Sequence, residues 1–225
     1  MADSIVLVSG GMDSAVTAAI AASVGPPAFL HINYGQRTEG QELKSFNAIA
    51  DYYGVEERLV VDISYLKKIG GSALTDAAIE IPEGDLGRQG VPLTYVPFRN
   101  ANFLSIAVSW AEVIGARSIY IGAVEEDSSG YPDCREAFFA AFEKAANLGK
   151  KPGAEIKIVT PLIHMRKADI VRKGVELKAP LHLTWSCYRD ETLACGECDS
   201  CLLRLRGFTE AGAADPISYR ERAAF

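Results

Sequence analysis

No apolar run in the 225-residue sequence reaches the roughly 18 residues of a bilayer-spanning helix. The first residues, Met-Ala-Asp-Ser, carry no basic segment and no small-residue cleavage site of a secretory signal, so a cytoplasmic location without membrane contact is expected. A basic surplus is also missing: 23 Lys and Arg stand against 29 Asp and Glu, a formal net charge of −6. Proteins that grip nucleic acid through its phosphates carry the opposite balance, so the expected partners are small molecules. Internal repeats and low-complexity segments are absent. Histidine is scarce, and His31, His164 and His182 are scattered, as packing or surface residues would be.

What is present is an alternation of short apolar runs with helical periodicity, the pattern of a parallel sheet covered by helices. It predicts strands near 5–8, 28–32, 59–63, 118–122 and 156–159. It predicts helices over 14–24, around Leu43–Tyr53, over 103–114 with Gly115 as C-cap, over 134–146 and over 167–178. Residues 67–92, with several glycines and prolines and no sustained period, read as a long loop or lid. After residue 180 the aliphatic periodicity fades and cysteines appear. The division expected is a catalytic α/β domain over 1–180 and a small module over 181–225, too short to hold a core without a staple.

Ser9-Gly10-Gly11-Met12-Asp13-Ser14 lies between the first strand and the first helix. Glycines there let the backbone approach a charged ligand, and the helix N-terminus offers free amides and the positive dipole end to an anion. Ser9 and Ser14 add hydroxyls, and Asp13 adds a carboxylate able to hold Mg²⁺ against phosphates. The loop is not a GxxxxGK[ST] phosphate loop, for want of the lysine, nor a GxGxxG fingerprint. Its plain alternative is a ligand-free turn.

Four of the five cysteines, Cys187, Cys195, Cys198 and Cys201, fall within fifteen residues. In a reducing compartment such a cluster reads as metal ligation. Four thiolates suit structural Zn²⁺. An iron–sulfur cluster is the rival, although the cysteine-proline that continues the ferredoxin pattern is missing, and unrelated free thiols are the third reading. Cys134 stands alone with no histidine near it in sequence, which favours a pocket role over a nucleophilic one. From spacing alone, Arg99 and Asn100 read as a surface arginine and a helix N-cap.

The loop matches every fixed position of SGG-x-DS and so resembles the pyrophosphate-binding loop of the N-type ATP pyrophosphatases. That resemblance implies an adenine-nucleotide α-hydrolase-like α/β fold, a parallel sheet with helices on both faces, and adenylation at the α-phosphate of ATP. Four further segments follow in order: NYGQR at 33–37, VPFRN at 96–100, SGYPDCR at 129–135, and WSCY with the cysteine cluster at 185–201. Together they make the chain similar to the 7-cyano-7-deazaguanine synthases of queuosine biosynthesis, although Phe98 stands where that family's pattern has a small residue. The resemblance implies a homodimeric ligase that turns 7-carboxy-7-deazaguanine and ammonia into the nitrile at the expense of ATP, with Mg²⁺ and a structural zinc on the four cysteines. It implies a nucleotide site of Val8, Ser9, Gly10, Gly11, Met12, Asp13, Ser14, Ala15 and Val16. Asp13, Ser14 and Arg99 take catalytic parts. Gln36, Arg37, Arg99, Asn100, Tyr131, Asp133, Cys134 and Arg135 fall at the substrate, with Asp133 expected to read the guanine-like N–H groups. Rival readings are a tRNA thiolase of the same superfamily, a nucleotide sensor without catalysis, and an amidotransferase-fed ligase, for whose glutaminase the chain has no room.

Overall fold

In the computed structural model, which describes residues 2–125, 130–223 and 225, the apolar run Ser4–Leu7 forms strand β1 at the centre of a five-stranded sheet. The other strands are β2 (Pro27–Asn33), β3 (Arg58–Asp62), β4 (Ser118–Ile121) and β5 (Lys157–Val159). Their order is β3-β2-β1-β4-β5 and every pairing is parallel. Alternation along the strands sorts the core into two layers. Ile5 and Leu7 pack with Leu30, Ile119 and Ile121 on one face, whereas Val6 packs with Phe29 and Tyr120 on the other.

Helices cover both faces, as an all-parallel sheet requires. Helices α1 (Met12–Val24) and α2 (Glu39–Tyr52) lay Ala15, Ala18, Phe46 and Ile49 on the Val6 face. The short α3 (Tyr65–Ile69), α4 (Arg99–Ile114) and α5 (Glu136–Gly149) cover the Ile5 face through Leu66, Leu104, Ala107 and Phe139. Helix α6 (Lys167–Glu176) packs behind α1, where Val16, Ile170, Val171 and Phe208 meet, and α7 (Asp199–Ala211) supplies that phenylalanine. Gly115 ends α4 in the left-handed region at φ 77°, as expected.

Several boundaries differ from the sequence reading for local reasons. Helix α1 starts at Met12 because the extended backbone ends at Gly11. Helix α5 starts at Glu136, since Pro132–Cys134 makes a separate 3₁₀ turn and Arg135 is extended. Residues 67–92 are irregular after α3 but well anchored. Ala73, Leu74 and Ile81 are buried, and Arg37 donates to the carbonyls of Asp76 (2.8 Å) and Ile79 (2.5 Å). Asn100 is not the N-cap of α4: Phe98 holds that position at φ 56°, a left-handed conformation costly for an aromatic residue.

Candidate active site

A cavity of about 270 Å³ opens at the carboxyl ends of β1, β2 and β4, where an open parallel sheet binds ligands at the reversal of strand order. The glycine turn forms one end of it through Ser9, Gly11, Met12, Asp13 and Ser14. Gly10 has φ 90°, and a Cβ there would stand 2.5 Å from the Glu42 carbonyl oxygen, so the turn needs glycine. The Gly11 amide donates to Ser9 Oγ at 3.2 Å, Ser14 Oγ donates to the Gly11 carbonyl at 2.9 Å, and Ser9 Oγ donates to Ser14 Oγ at 3.2 Å. No side chain caps α1, so the amides of its first turn, at residues that line the cavity, have no intrahelical partners.

Asp13 Oδ2 accepts from Lys167 Nζ at 2.5 Å, while its Oδ1 is buried without a hydrogen-bond partner. The turn that lacks a lysine in sequence thus receives one from the start of α6. The free oxygen fits the expectation of a cation at Asp13, since a buried polar atom is normally satisfied.

Across the cavity, Arg99 lies over Tyr34 (5.3 Å) and Phe103 (5.4 Å) and donates to the Tyr34 hydroxyl at 3.2 Å; its Nε is buried without a hydrogen-bond partner. A guanidinium so placed can meet an anionic ligand group. Asn100 donates its backbone N–H to Asp133 Oδ2 and its side-chain amide to Cys134 Sγ at 3.3 Å. Burial pushes the Cys134 thiol up to about 11, which keeps it protonated and unsuited to nucleophilic work. Tyr131 also faces the cavity and bonds Thr94 at 2.9 Å.

Val8, Ser9, Gly11, Met12, Asp13, Ser14, Arg99, Asn100, Tyr131 and Cys134 therefore share one wall system. Other expected site residues lie elsewhere. Ala15 and Val16 are in the core behind the loop, and the Ala15 N–H is engaged by the Gly11 carbonyl. Gly10 shapes the turn from outside the wall. Asp133 is turned toward the α4 N-terminus. Arg135 is exposed before α5. Gln36 and Arg37 support neighbouring backbone and side chains rather than the cavity, Gln36 by accepting from Tyr34 N–H at 2.8 Å and donating to Glu42 at 3.1 Å. Ser129 of the SGYPDCR segment lies outside the described residues.

Sequence reasoning missed Lys167, Glu42 and Arg204, all on the wall. No local motif marks them. Arg204, about 1% exposed, forms a two-pronged pair with Asp215 (both contacts 2.9 Å) and donates to Thr184 Oγ1 at 2.6 Å. It thereby holds the Thr184–Ser186 stretch, whose Trp185 N–H donates to the Gly10 carbonyl at 2.8 Å. The C-terminal segment is thus tied directly to the glycine turn.

The four clustered cysteines are buried, and their sulfur atoms all lie within 4.8 Å of one another, Cys195 and Cys201 at 3.9 Å. A tetrahedral thiolate site with metal–sulfur bonds of about 2.3 Å spaces its sulfurs about 3.8 Å apart. Backbone amides of Arg189 and Cys195 donate to Cys187 Sγ, and those of Glu197 and Cys198 to Cys195 Sγ, at 3.3–3.4 Å. Such donors offset thiolate charge. Gly196 has φ 84°, and a Cβ there would collide with the Glu221 backbone. This set could hold a metal ion.

The family described as queuosine biosynthesis protein QueC matches residues 3–212. A 7-cyano-7-deazaguanine synthase of Chlorobium phaeobacteroides is 59% identical over 219 residues, 97% of each chain. The protein of the same name from Chloroherpeton thalassium is 56% identical over 222 residues, 98% of each chain. A solved structure of a predicted subunit of tRNA methyltransferase from Methanocaldococcus jannaschii has a TM-score of 0.51 and 15% identity, covering 98% of this chain and 93% of that one. That last likeness is one of fold alone.

Proposed function

Because the chain belongs to the QueC family of queuosine biosynthesis proteins, we propose that it is an ATP-dependent carbon–nitrogen ligase that makes 7-cyano-7-deazaguanine from 7-carboxy-7-deazaguanine and ammonia. The observation that carries the reading is the glycine turn at the end of the central strand, facing Asp13 and Lys167 on one side and Arg99 on the other within one cavity. The turn suits pyrophosphate, whose developing charge preorganised amides and Lys167 stabilise without rearrangement. Arg99 suits the substrate carboxylate.

A carboxylate is a poor electrophile; transfer of AMP to it creates a leaving group that ammonia displaces, giving the amide. Adenylation of the amide oxygen and loss of AMP then give the nitrile, so the same site acts twice and two ATP are consumed. Asp13, whose Oδ1 has no hydrogen-bond partner, would hold Mg²⁺, which when bound would supply Lewis-acid neutralisation of the phosphates. Zinc suits the four cysteines in a structural role, since they leave no coordination position open. Residues 1–180 serve as the ATP-binding unit and 181–225 as the metal-stapled module of a cytoplasmic homodimer.

The test is turnover of the carboxylic acid with ATP, Mg²⁺ and ammonium, followed by mass spectrometry. The expected products are the nitrile, AMP and pyrophosphate, with two ATP used per nitrile. A ratio of one, or no nitrile, overturns the scheme.

A further inference from the structure

Converting a carboxylate to a nitrile through an amide requires removing protons from nitrogen three times. Among the described residues, the cavity wall carries two carboxylates, Asp13 and Glu42. Asp13 is engaged by Lys167. Glu42 comes from the first turns of α2, beside the glycine turn, with its backbone carbonyl packed against Gly10. Resting on the ligase reading above, we propose that Glu42 is a catalytic residue, the general base of the nitrogen steps.

The carboxylate is aimed. Thr38 Oγ1 donates to Oε1 at 2.8 Å and Gln36 Nε2 donates to Oε2 at 3.1 Å, which leaves a lone pair on each oxygen for a further N–H. Gln36 is itself fixed by the Tyr34 N–H, so residues of the NYGQR segment act through Glu42. The charged and titratable groups around it are Arg99 and Tyr34 across the cavity and Glu39 on its own helix, with Glu191 reaching the Gln41 N–H from the C-terminal segment. Burial pushes the Glu42 carboxyl up to about 7, against the two hydrogen bonds and the Arg99 charge. A base works best with its value near the operating pH. Burial drives the Cys134 thiol and the Tyr34 and Tyr188 phenols upward. His31 is not on the wall; it is buried between the Val8 carbonyl and Asn33.

In the first step the ammonia lone pair forms the C–N bond, the acyl C–O bond to AMP breaks with its electron pair, and Glu42 takes one proton from the new ammonium-like nitrogen. In the second, the amide oxygen bonds the α-phosphorus of another ATP and pyrophosphate leaves. Glu42 removes one N–H proton to give the neutral imidate, then the last N–H proton as the C–O bond to AMP breaks and the nitrile forms. Between steps the carboxyl returns its proton to water.

The experiment separates adenylation from nitrogen chemistry in the intact protein. Pyrophosphate release is measured with ATP and the carboxylic acid without ammonia, then amide and nitrile formation with ammonium, and finally nitrile formation from added amide, each across pH 5.5–9. E42Q is expected to release pyrophosphate near the wild-type rate while nitrile formation falls by about 10²–10⁴-fold. The wild-type acid limb near pH 7 is expected to vanish, and formate to rescue E42A in part. Nitrile formation by E42Q at the wild-type rate with the same acid limb overturns the proposal, as does an equal loss of adenylation, which marks a structural role. If E42Q does not fold, E42A without formate decides by the same comparison. A wild-type protein that releases no pyrophosphate with the acid sinks the ligase reading instead, a distinguishable result.

Discussion

Two side chains set the charge at the glycine-turn end of the cavity, Asp13 on α1 and Lys167 on α6, in contact at 2.5 Å. Asp13→Ala is expected to leave the fold intact and abolish adenylation, and Lys167→Met to lower it by about 10²–10³-fold; pyrophosphate release read beside circular dichroism checks both. Glu42 makes a further prediction. Its carboxyl is raised from the ordinary 4.5 to about 7, so the folded protein holds that proton more tightly than the unfolded chain. The stability tied to it is full below about pH 4.5 and is lost as pH rises toward 7. E42Q should therefore match the wild type near pH 4 and exceed it by about 1–3 kcal/mol at pH 8, as measured by urea denaturation at the two values. At this scale the sequence carried Asp13, because glycines, serines and an acid in one short run have a local chemical meaning. It did not carry Lys167, Glu42 or Arg204. A lone lysine, glutamate or arginine becomes a site residue only when distant segments are brought together. Asp133 shows the converse: a motif position whose carboxylate is taken up by the α4 backbone.

Helices α3 and α7 escaped the sequence reading, but among the elements the five strands and the other helices were legible, since apolar runs with glycine breaks and 3.6-residue periods are local properties. The 67–92 segment was not. It has no period because Ala73 and Ile81 pack in one cluster with the cysteines and Trp185, a partner that no local window reveals. Cys198 stands at the N-cap of α7, and Gly84 N–H and Asp85 N–H are held by Glu197 and Asp199 beside it. A metal ion held by the cysteines would therefore order two segments at once. Chelation, or Cys198→Ser, should lower Tm by about 10 °C or more and weaken ATP binding as well, because Trp185 holds Gly10. Calorimetry and nucleotide titration on metal-loaded and stripped protein test the pair of effects; unaltered ATP affinity in a folded, stripped protein breaks the link.

For the molecule as a whole, the order β3-β2-β1-β4-β5 puts the central strand at the reversal point, and the helices on both faces leave the carboxyl ends of the strands for the cavity. Among the described residues no helix is long and apolar enough to cross a membrane. The walls come from both ends of the polypeptide: Ser9 and Asp13 near its beginning, Trp185 and Arg204 near its end. Until Trp185 is in place, the Gly10 carbonyl lacks its N–H partner, although α2 already packs against that glycine. A polypeptide stopped short of Trp185 and Arg204 thus lacks part of the cavity wall.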